Sequence, residues 1–273
     1  MQEKMVKERR DRRTGSNIQE IGDGSEGHMK GIILNSDADN FVWSRRAEQM
    51  TLEGLREQMD HYATGQVSHV YLSVNYMRTL YSSKAWESFW EGNNPETTPE
   101  DWIRNAWLLC ERGLDPIAVW IARLREKGVS PWVSMRMNDC HFTQSDPQYT
   151  LCSSFWREHP EYWRVAEGRG YHDRCLDYEF AAVREYNMSL VREILERYDA
   201  DGLELDWLRE PYCFAPGEEE EGRGILTGFM KKVRELAERW SRKRGHRIGI
   251  AAHVPARPES ALGWGIDAVR WAK

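Results

Sequence analysis

The sequence predicts an α/β fold of the (β/α)8 TIM-barrel type, truncated to about the first five βα units. Three observations lead there. Short apolar runs alternate strictly with amphipathic stretches of helical period, which implies parallel strands joined by right-handed crossovers. Polar residues stand at the C-terminal ends of all five runs, where barrel active sites gather. No GxGxxG or P-loop sequence follows the first run, which counts against a nucleotide-binding open sheet. The remaining alternative is a smaller α/β sheet that needs only these strands. A closed barrel takes eight units, so the last three are expected to be missing from this chain.

Residues 1–28 are polar, charged and Gly-rich and read as a disordered leader, with Met29 a candidate true start. Residues 29–273 are expected to form the barrel domain. Its first strand spans 31–37 and leads to a helix opened by Thr51, with Leu52, Leu55 and Met59 on one face. The second strand is 69–75. Thr98 and Pro99 start a helical region that breaks at Gly113 and resumes over 116–127. The third strand, 131–138, is followed by a long loop and a helix over about 180–198, where Val183, Tyr186, Leu190, Val191, Ile194 and Leu195 keep helical spacing. Strand four is 202–206. A Glu-rich loop at 218–221, a helix over about 223–243, strand five at 247–253 and a last helix near Ile266 complete the pattern.

The 273 residues, 40% hydrophobic and 30% charged, suit one globular domain with a real core. A net charge of −6 argues against nucleic acid as a partner. The load of 13 Trp and 11 Tyr tilts toward a carbohydrate ligand, because flat rings stack on sugar faces as well as filling cores. Five Cys without a CxxC pair suggest reduced thiols. No apolar run reaches the ~18 residues of a membrane span, and no signal peptide is visible. The expectation is therefore a cytoplasmic protein, or a secreted or periplasmic one if the start is mis-assigned. No cofactor is expected.

Alternation along the strands selects the residues that face the barrel axis. Asn35 and Asp37 come from strand one, Ser73 and Asn75 from strand two, and Ser134, Arg136 and Asn138 from strand three. Strand four supplies Glu204 and Asp206, and strand five ends at His253. Glu204, one layer deeper, is expected to pair with Arg136, since a buried charge needs a partner. Asp37 and Asp206, at the mouth, are candidate catalytic carboxylates. Their strands stand across the barrel, which suits the wider spacing of an inverting glycosidase. His141, just beyond strand three, is a candidate base near neutral pH. Asn75, Arg136, Asn138, Trp207, Arg209 and His253 are candidate substrate-binding residues. The Trp-rich 86–102 segment and the 139–178 loop, rich in His, Trp, Tyr and Arg and including His159, Trp163, His172 and Asp173, suit a sugar site or the packing of the loops themselves.

The phrase Asp201-Gly202-Leu203-Glu204-Leu205-Asp206-Trp207 and the segment Phe155-Trp156-Arg157-Glu158-His159-Pro160-Glu161 resemble bacterial family-10-like glycosyl-hydrolase barrels. The resemblance covers residues 30–273, about the N-terminal two-thirds of such a barrel, and implies later strands that carry further site residues. A narrower resemblance is to the inverting exo-sialidases of glycoside hydrolase family 156. There an Asp ends strand one and an Arg is followed five residues later by a His, as Asp37, Arg136 and His141 are here. That resemblance implies Arg136 as a clamp for a substrate carboxylate, with Asp37 and His141 as the acid/base pair. The expected function is hydrolysis of a glycosidic bond in an oligosaccharide, polysaccharide or glycoconjugate, including that of an acidic sugar. Two other classes compete. One is a metal-dependent barrel hydrolase with His141, His253, Asp37 and Asp206 as ligands, although no tight His pair lies on one element. The other is a non-catalytic carbohydrate-binding protein or degenerate fragment.

Overall fold

Two interleaved sets of side chains define each strand, one turned to the helices and one to the barrel axis. The computed structural model describes residues 31–144, 146 and 148–273; the leader assigned to 1–28 and the alternative start at Met29 lie outside them. The strands are β1 (Ile32–Ser36), β2 (Val67–Ser73), β3 (Ser130–Arg136), β4 (Gly202–Asp206) and β5 (Gly249–His253). Between β1 and β2 lie α1 (Asn40–Ser44) and α2 (Leu52–Tyr62); α3 (Asp101–Glu111) and α4 (Pro116–Glu126) follow β2. The loop after β3 holds α5 (Ser154–Glu158) and leads into α6 (Ala181–Arg197). Then come α7 (Glu219–Arg244), α8 (Pro258–Gly263) and α9 (Ala268–Trp271).

All four strand pairings are parallel and the order across the sheet is that of the chain, β1 to β5. A doubly wound sheet would reverse its strand order at a switch point. The topology is that of five successive barrel units, open between β1 and β5. At the β1 edge Ile32 and Ile33 are 54% and 43% exposed.

The outward set, Val70, Leu72, Val133, Met135, Leu203 and Leu205, is buried under the helices. The inward set stacks in rows fixed by register. In the lowest row Tyr71, Trp132, Gly202 and Gly249 are aligned. The Trp132 ring stacks on Tyr71 at 5.0 Å and lies across both glycines, so a Cβ on Gly202 would stand 2.3 Å from the indole. These glycines are therefore demanded by space: one large ring fills the width of three strands. Gly202→Ala is expected to lower stability by about 1–3 kcal/mol, read as a shift in the urea midpoint at unchanged slope. The next row holds Ser134, Glu204 and Ala251, and the top row Arg136, Asp206 and His253.

Several boundaries differ from the sequence pattern for local reasons. Glu219, Glu220 and Glu221 are not a solvated loop but the first turn of α7, where carboxylates complement the helix dipole. The short α1, α5 and α8 lack enough residues to show a period. The Trp residues of the long segments mostly pack against other rings. Trp86 stacks on Tyr186 at 4.4 Å, and Trp163 on Trp156 at 4.8 Å. His159 pairs with Glu161, and Asp173 accepts from the Gly170 backbone. Among the described residues no helix is long and apolar enough to cross a membrane.

Candidate active site

The C-terminal ends of β1 and β3 and the loops after β3 and β4 enclose a cleft of about 650 Å³. Asp37, Tyr76, Arg136, His141 and Arg209 supply its polar wall, and Trp43, Trp102, Phe142 and Tyr149 its aromatic wall.

Arg136 organises the polar wall. Its side chain is 2% exposed, with the Tyr76 ring 4.1 Å from its guanidinium carbon. Nη2 donates to Asp37 Oδ1 at 2.7 Å and Nη1 to Asp139 Oδ2 at 3.0 Å. That same Asp139 oxygen holds His141 Nδ1 at 2.9 Å, while Oδ1 accepts from the His141 backbone at 3.1 Å. Asp37, Arg136, Asp139 and His141 thus form one continuous chain of charge-assisted hydrogen bonds. Arg209 adds a second donor to Asp37 Oδ1 at 3.0 Å.

The carboxylate of Asp139 raises the pKa of His141 by hydrogen bonding and charge, against an opposing burial effect. Burial alone would push Asp139 up, but His141 and Arg136 together hold it below the usual carboxylate range. Because Nδ1 is engaged by Asp139, Nε2 is the nitrogen left for chemistry in the cleft. Glu210 lies nearby in the loop after β4, with its carboxylate on Tyr171 Oη at 3.2 Å and His172 Nε2 at 3.0 Å. Burial and the charge of Asp139 raise its pKa.

A second Asp–His pair stands on the top row. His253 Nδ1 lies 3.1 Å from Asp206 Oδ1, which also accepts from the Leu208 and Arg209 backbones. Asp206 shapes the turn that presents Arg209. The hydrogen bond that His253 donates to Asp206 raises the pKa of His253, whereas burial opposes it. Its stabilisation is therefore full below the ordinary value near 6.5 and is lost as pH rises through the folded value. The stability gap between wild type and Asp206→Asn is expected to narrow as pH rises from 6 to 9, measured by urea titration at each pH.

The structure redistributes the remaining candidates. Glu204 does not pair with Arg136: it accepts from Asn35 Nδ2 at 3.1 Å, while Arg136 is committed to Asp37 and Asp139. Asn75 is not open to substrate. It is fully buried and exchanges hydrogen bonds with the Arg136 backbone at 3.1 and 3.0 Å, extending the β2–β3 ladder in side-chain form. Asn138 is spent likewise on Leu176 and Tyr212, anchoring the long loop. Trp207 points outward, 0% exposed, against Tyr178, Phe229 and Trp271. Strand alternation puts it opposite Asp206, and that parity is the signal against a site role.

Sequence reasoning missed Asp139, Tyr76, Glu210 and Trp43. Only Asp139 carried a signal, an acidic residue two positions before a candidate base. Among the described residues no group of three or more His, Cys, Asp or Glu side chains is arranged to hold a metal ion.

No family model and no curated protein matches the chain. Among solved structures, the alpha-L-fucosidase isoenzyme 2 from Paenibacillus thiaminolyticus is similar over 86% of this chain and 34% of its own, at 15% identity and a TM-score of 0.49. An alpha-amylase from Geobacillus thermoleovorans complexed with acarbose is similar over 87% of this chain and 50% of its own, at 13% identity and a TM-score of 0.47. A hypothetical protein from Ruminiclostridium thermocellum is similar over 80% of this chain and 96% of its own, at 14% identity and a TM-score of 0.46. The chain spans a third to a half of the two enzymes. None of these similarities assigns a role to a residue here.

Proposed function

We propose that the cleft hydrolyses the glycosidic bond of an acidic sugar, with His141 as general acid and Asp37 as general base. The observation that carries this is the hydrogen-bonded chain from Asp37 through Arg136 and Asp139 to His141. It fixes an acid and a base in one cleft, and it orients the acid through a buried carboxylate. The resemblance of Asp37, Arg136 and His141 to the inverting exo-sialidases supports the same pairing.

In the proposed reaction Asp37 takes a proton from a water whose oxygen bonds to the anomeric carbon. His141 gives its Nε2 proton to the glycosidic oxygen as that carbon–oxygen bond breaks. One water is consumed, the two fragments leave, and the protons on His141 and Asp37 re-equilibrate with solvent. Inversion follows, since one displacement occurs on the face opposite the leaving group. Arg136, hidden and committed to two carboxylates, acts as the bracket that sets the acid against the base. Arg209, 39% exposed on its side chain, is the cation offered to a substrate carboxylate.

A panel of sialosides, uronic-acid oligomers and matched neutral oligosaccharides tests the reading. Release of the acidic sugar by wild type, abolished by Asp37→Asn, is expected. Turnover confined to neutral substrates would overturn the acidic specificity. Sugar binding without turnover would favour a carbohydrate-binding protein.

A further inference from the structure

We infer that Trp43 is the platform of a second subsite, one that takes a pyranose ring as the leaving group; this rests on the proposed glycosidase reading. Trp43 is 64% exposed, yet it is not a loosely held surface residue. Its neighbours Phe41 and Val42 are buried, and Asn105 Nδ2 ties α1 down by donating to the carbonyls of Val42 at 2.8 Å and Arg45 at 2.9 Å. The indole leans on Trp102 at 6.0 Å and 32°, and Trp102 is itself wedged edge-on against Phe89 at 5.5 Å. One side of the indole is therefore braced and the rest is open in the cleft that holds Asp37 and His141.

Core packing does not require an indole that stays largely in solvent. A rigid ring with two rotatable bonds offers contact area at small entropic cost, as binding sites use Trp. The partner wall points the same way. Phe142, directly after His141, has φ 67°, a conformation that non-glycine residues seldom adopt, and its ring meets Tyr149 at 4.1 Å. The aromatic surfaces have no counter-charge for a carboxylate but suit the apolar C–H face of a neutral sugar. The acidic unit then belongs beside Arg209, and the sugar it is released from belongs on Trp43. The cleft volume of about 650 Å³ lies within the range of pockets that enclose ligands larger than one ring.

The test compares sialyllactose with the methyl sialoside of the same acid. Trp43→Ala is expected to lower kcat/KM on sialyllactose by about tenfold, to leave the methyl glycoside unchanged, and Trp43→Phe to restore most of the loss. Equal losses on both substrates, or no loss on either, would overturn the subsite. Should wild type hydrolyse neither, the glycosidase reading fails separately, and calorimetric titration with lactose then decides the subsite. Lactose binding that disappears in Trp43→Ala sustains it; no binding to wild type, or equal binding to the variant, removes it.

Discussion

His141→Gln is expected to lower kcat on a sialoside by about 10²–10⁴-fold, the usual contribution of a positioned general acid, while leaving the fold intact. The imidazole is partly exposed, so its loss opens no core cavity. Glutamine can still donate to Asp139 but cannot give a proton to the leaving oxygen. Asp139→Asn gives the complementary result. Asp139 raises the pKa of His141, so a neutral amide lets it fall. An acid acts in its protonated form, so the basic limb of kcat/KM moves to lower pH in this variant, and the maximal rate falls as the orienting charge is lost. Steady-state profiles from pH 4 to 9 check both. A limb that stays in place would remove His141 from the chemistry.

Arg136→Met is expected to cost about 3–5 kcal/mol of stability, the range for removing one partner of a buried ion pair, together with nearly all activity. The side chain is 2% exposed and joins Asp37 to the buried Asp139. Without it His141 is the one cationic partner left to Asp139 among the described residues. Arg136→Lys separates the two effects. A lysine restores a positive charge and part of the stability, but a single ammonium cannot bridge two carboxylates in the fixed fork geometry of guanidinium. Activity therefore stays low while the urea midpoint recovers. Full activity in the lysine variant would contradict the bracket.

Strand periodicity made much of the architecture legible, because parity along a strand assigns each side chain to the axis or the helices. That logic placed Asp37, Arg136, Glu204 and Asp206 correctly on the inner face. It could not predict which side chains on the inner face meet: Arg136 went to Asp37 and Asp139 rather than to Glu204, which Asn35 serves instead. It also failed for amides. Asn75 and Asn138 resemble ligand-binding groups in sequence, yet each closes a backbone gap where a strand leaves the sheet. Residues outside the strands were least legible. Glu210 and Trp43 owe their positions to packing between segments distant in the chain, and no periodicity marks them.

The most direct test of the account is the anomer formed first. Hydrolysis of a sialoside followed by proton NMR from the first seconds is expected to show the inverted anomer of the free sugar, before mutarotation mixes the two. Initial appearance of the retained anomer would mean a covalent intermediate, and the pairing of His141 with a water-activating Asp37 would then be wrong.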